Sequence, residues 1–114
     1  MKANNILKDL EYNDNKPAIS VLLETEGSKE IRILLKEGQK MKEHQTPFPI
    51  LVEIFEGEID FGVRGEVHKL VKGDLVALEG AVPHDLLAKK NSIVRLTLNK
   101  ADKAERVKKV AEKS

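Results

Sequence analysis

Residues Gly38–Gly57 read "GQKMKEHQTPFPILVEIFEG". The second half decides the local structure. Ile50, Val52 and Ile54 alternate with Leu51, Glu53 and Phe55, which is the period of a strand with one face in a core and the other turned away. Before it, Pro47 and Pro49 restrict the backbone on both sides of Phe48 and make a rigid loop. Glycines punctuate both ends, and one histidine, His44, stands six residues after the first of them.

The same grammar extends in both directions. Ala18–Glu24 and Glu30–Lys36 flank the turn "TEGSK", and Ile31, Ile33 and Leu35 share one face of the second run. Downstream, Ile59, Phe61 and Val63 alternate with Asp60, Gly62 and Arg64; "RGE" then turns into "VHKLV" and "KGD" into "LVAL". In "SIVRLTL" Val94, Leu96 and Leu98 oppose Ile93, Arg95 and Thr97. After that run the period changes. Ala104, Val107, Val110 and Ala111 fall at helical spacing in "NKADKAERVKKVAEKS", with Asn99 available as a cap. The reading is one all-β domain over residues 1–114, with strands from about residue 6 to 99 and a short C-terminal helix from about 100 to 112.

At 114 residues the chain has room for one core. Apolar residues at 40% against 34% charged suit a folded globule, and only four aromatics make that core aliphatic. Twenty basic and nineteen acidic side chains leave a net charge of +1, which sets up no field to draw in a polyanion, so nucleic acid is not an expected partner. There is no cysteine, which excludes disulfides, thiolate metal sites and cysteine nucleophiles. No run approaches the roughly 18 apolar residues of a membrane span. The opening "MKANNILKDLEYNDNK" carries acids and asparagines where a secretory signal carries an apolar stretch, so the expected location is cytoplasmic.

Two segments match a known pattern in their spacing. Gly38, five residues, His44 and the closing Gly57 resemble the first motif of the cupin family; "KGDLVALEGAVPHDLLA", Lys72–Ala88, resembles the second. The resemblance spans about Ile31 to Leu98 and implies a cupin-type jelly-roll β-barrel. In the family, two histidines and a glutamate of the first motif and one histidine of the second bind a metal. Here His44 and His84 stand at histidine positions, while Thr46 replaces the other histidine and Ile50 the glutamate. Glu79, Ala81 and Ala88 replace the second motif's proline, glycine and asparagine.

Three functions are open on these residues. The first is a barrel cavity for a small molecule, with His44, Thr46 and His84 as polar groups among Ile50, Val52, Ile54, Leu86 and Ala88, the sparse polar set in apolar walls usual for ligand pockets. The second is an oxygenase- or isomerase-type enzyme using a reduced set, with iron, manganese, nickel or zinc on His44 and His84 and His68 as a possible third donor. The third is a non-catalytic homodimer, which the family resemblance implies and for which Leu51 and Phe55 offer an outward apolar face. Arg95 reads either as an inward anion contact or as a surface strand residue. Ser20, Ser28, Ser92 and Ser114 lack a nearby base, and no phosphate loop or nucleophile elbow is present.

Overall fold

A computed structural model describes residues 1–114. Its elements are β1 (Ala18–Glu24), β2 (Ser28–Leu35), β3 (Lys40–His44), β4 (Ile50–Glu56), β5 (Glu58–Val63), β6 (Glu66–Val71), β7 (Leu75–Leu78), β8 (His84–Ala88), β9 (Ser92–Asn99) and α1 (Ala104–Lys113). A five-stranded sheet runs in the order β1-β2-β9-β4-β7 and a four-stranded sheet in the order β3-β8-β5-β6. All pairings are antiparallel, and β2 beside β9 and β3 beside β8 are the long-range neighbours of a jelly roll.

Alternation dictates which residues meet between the sheets. Ile50, Val52 and Ile54 of β4 are buried while Leu51, Glu53 and Phe55 are only half-buried. Ile31 and Ile33 of β2, Ile59 and Phe61 of β5, Leu86 of β8, and Val94, Leu96 and Leu98 of β9 complete one continuous core. The β5–β6 hairpin is closed by Arg64 and Gly65, whose φ angles of 52° and 77° are those of a two-residue turn that matches strand twist.

Two boundaries differ from the sequence reading. The first strand begins at Ala18, not near residue 6. The preceding segment is rich in asparagine, and its side chains bond their own main chain: Asn4 Oδ1 accepts from Asn5 N, Asn5 Oδ1 from Leu7 N and Asn13 Oδ1 from Asn15 N. Such local bonds compete with a sheet ladder. Arg32 holds this segment by donating to the carbonyls of Ile6, Lys8 and Asp9. The helix likewise starts late, at Ala104. Asn99 Oδ1 accepts from Ala101 N in a turn, so the N-cap is Lys103, which makes no side-chain capping bond.

Helix α1 lies against β3 and β1, the edge strands of the two sheets, and so closes the seam between them. Its apolar stripe is the expected one, with Val107 and Ala111 buried. No helix is long and apolar enough to cross a membrane.

Candidate functional site

The site is built where β3 and β8 pair. Met41 is opposite Leu86 and His44 opposite His84, three steps along β3 against two along β8. Met41 is buried, and in a regular strand an offset of three would turn His44 to the other face. The extra residue in β3 is a bulge that restores His44 to the inner side. His84 is the first residue of β8, just after Pro83, and is 4% exposed.

The two imidazoles face each other with centroids 4.3 Å apart and planes at 60°, and His84 stacks on Phe61 at 5.6 Å. Each ring is tied to the main chain two residues back. His44 Nδ1 lies 2.6 Å from the Lys42 carbonyl and His84 Nδ1 3.0 Å from the Val82 carbonyl. A carbonyl only accepts, so both Nδ1 atoms carry the proton and each neutral ring keeps its lone pair at Nε2. No protein group hydrogen-bonds to either Nε2.

A cavity of about 20 Å³ adjoins this pair, room for about one water molecule. Its walls are Ile33, Ile50, Val52, Val94 and Leu96 from one sheet, Met41, His44, His84 and Leu86 from the other, and Arg106 and Val107 from α1. Five residues singled out in the sequence, His44, Ile50, Val52, His84 and Leu86, thus come together. Two do not line it. Ala88 is buried deeper in the core, and Thr46, beyond the end of β3, turns its hydroxyl to Asp102 at 2.6 Å. Ile54 is core rather than cavity wall. His68 is half exposed on edge strand β6 near Glu66, away from the pair. Arg95 points out of the barrel and donates to Glu53, Glu30 and Thr97, so it is not an inward anion contact.

Arg106 borders the cavity and Asp102 holds it, and the sequence reading singled out neither. Asp102 is 5% exposed and accepts from Arg106 Nε at 2.9 Å and Nη2 at 2.8 Å as well as from Thr46. Their i,i+4 spacing is visible in "DKAER", but such pairs usually lie in solvent, and only the packing of α1 turns this one inward. Burial would raise the Asp102 carboxyl, yet hydrogen bonds from Arg106, Thr46 and the Lys103 N–H together hold it below the usual carboxylate range. Desolvation pushes His44 down to about 4, and the charges of a protonated His84 and of Arg106 push the same way. His84 is lowered for the same leading reason, again with Arg106 contributing. Both rings are neutral at neutral pH.

Comparison with solved structures gives the fold its name. An RmlC-like cupin from Desulfovibrio desulfuricans matches with a TM-score of 0.80, at 24% identity, over 87% of this chain and 96% of that one. The protein has the cupin fold. A second RmlC-like cupin, from Shewanella frigidimarina, matches at 0.77 with 17% identity over 93% and 96% of the two chains. KdgF from a Halomonas species matches at 0.74 with 14% identity over 93% and 99%. No protein-family model matches the chain, and no curated protein matches it in sequence.

The metal centre that a cupin resemblance implies does not fit the residues present. Two imidazoles lie side by side, but a stable site takes three or more donors. Thr46 is engaged with Asp102, Ile50 supplies only hydrocarbon where the cupin motif has a glutamate, and His68 is half exposed and does not line the cavity. No group of three or more histidine and carboxylate side chains converges anywhere in the fold. The Arg106 guanidinium also lines the cavity, and its positive charge opposes a second cation there.

Proposed function

We propose that this cupin binds a small organic molecule at the histidine pair, without a metal. One observation carries the reading: two imidazoles, each fixed through Nδ1–H to a main-chain carbonyl, hold free Nε2 acceptors in an otherwise apolar interior. A partner for two acceptors in hydrocarbon walls is a mostly apolar molecule with hydroxyl or amine hydrogens to donate. Binding is favoured over proton transfer because a general base works best with a pKa near the ambient pH, and His44 at about 4 is a weak base.

Imidazole ¹⁵N spectra test this. Titration with small hydroxylated and amino compounds should shift Nε2 of His44 and His84 and leave Nε2 of His68 in place. The response should vanish in the His44→Ala/His84→Ala variant. Compounds that bind with equal affinity to the double variant would contradict the reading.

A further inference from the structure

The cavity raises a problem of access. Its 20 Å³ admits about one water, far less than the roughly 300 Å³ at the lower end of ligand pockets. Binding at the histidine pair therefore needs a wall to move. All nine strand residues lining the cavity belong to ladders whose hydrogen bonds would have to break, with the His44–His84 pair at the end of one. Helix α1 belongs to none. It reaches the walls through Arg106 and Val107 and is joined to β9 by residues 100–103, which form a turn.

What holds α1 down is the packing of Val107 and Ala111 on the core and a small set of side-chain bonds, among them Lys29 Nζ donating to the Asp102 carbonyl at 3.0 Å. Asp102 sits at its foot and gathers Thr46 from the β3–β4 loop and Arg106 from the first turn of the helix. At the other end Ser114 Oγ accepts from Lys42 N of β3 at 2.8 Å, and Lys16 lies 3.8 Å from Glu112. Only Val107 and Ala111 are fully buried on the helix. None of these contacts is part of a sheet.

We infer that α1 is a displaceable lid over the seam between β1 and β3, that the buried His84 is reached past the half-buried His44 when it lifts, and that Asp102 is its latch. The inference rests on the reading of the pair as a ligand site, but lid motion is measurable without any ligand. Diethyl pyrocarbonate acylates neutral imidazole and is too large for the closed cavity. Peptide mapping by mass spectrometry after labelling at pH 7 gives a rate for each histidine, and exposed His68 serves as the internal reference.

Asp102→Asn, which removes the charge that Arg106 pairs with, should raise the labelling rate of His84 relative to His68 at least tenfold. Amide exchange in α1 should rise with it while amides of β2 and β9 stay protected. Thr46→Val, which removes a single bond to the latch, should move both readouts in the same direction by a smaller factor. An unchanged His84 rate in both variants would overturn the lid, and so would faster labelling accompanied by equal loss of protection in β2 and β9, which is global unfolding. A lifting lid together with silent imidazole titrations would instead keep the lid and remove the ligand reading.

Discussion

Three side chains show how single positions set the chemistry. His44 passes from about 6.5 in the unfolded chain to about 4 when folded, chiefly because its ring is desolvated. Between those values the unfolded chain takes up a proton that the folded chain refuses. The stabilisation is therefore whole above about pH 6.5 and is lost as pH falls toward 4. Melting temperature should fall over that window, and His44→Asn should flatten the slope; a wild-type melting temperature independent of pH from 7 to 4.5 would contradict it. Ala81 stands where the cupin motif has glycine and has a φ of 62°. A left-handed alanine is strained, so Ala81→Gly should stabilise by about 0.5–1 kcal/mol after the entropy of a freer unfolded chain is offset, read as a higher urea midpoint. Thr46 carries a different lesson. The cupin resemblance sets it in a ligand's place beside His44, but β3 ends at His44, and the hydroxyl bonds a buried carboxylate instead.

At the scale of elements the sequence was legible where alternation was strong. The faces of β4, β5 and β9 follow directly from their apolar periods, as does the hairpin at "RGE", whereas "KGD" carries the chain from β6 in one sheet to β7 in the other. Less legible were features decided by competition. The bulge in β3, on which the orientation of His44 depends, leaves no mark in composition, because Lys42 and Glu43 are ordinary exposed strand residues. The inward turn of Arg106 and the latch at Asp102 depend on where α1 docks, which no local pattern encodes. Gly57 illustrates the opposite case, a motif residue with an immediate structural reason. It has a φ of 100°, and a Cβ there would come within 2.7 Å of the Ser92 Cα at the start of β9. Gly57→Ala should cost about 2–4 kcal/mol, measured by chemical denaturation, and a loss under about 1 kcal/mol would show that the β4–β5 turn relaxes freely.

For the whole molecule, the outer face of the five-stranded sheet bears Leu51, Phe55 and Leu75 beside the Glu30–Arg95–Glu53 network. We propose that a second copy pairs through it. Arg95 is held between two carboxylates, which keeps it charged and fixed in orientation, as a polar group bordering an apolar contact should be. Light scattering should give a dimer mass for the wild type and a monomer mass for Phe55→Asp; an unchanged dimer mass in the variant removes this face. Inside the barrel, the central claim is that the histidine pair serves an organic ligand rather than a metal. The most direct test is plasma mass spectrometry of untagged protein after equilibration with iron, manganese, zinc or nickel and removal of the excess, repeated on the His44→Ala/His84→Ala variant. Both proteins should retain well under stoichiometric metal, whereas near-stoichiometric metal in the wild type that disappears in the variant would make the pair a metal site.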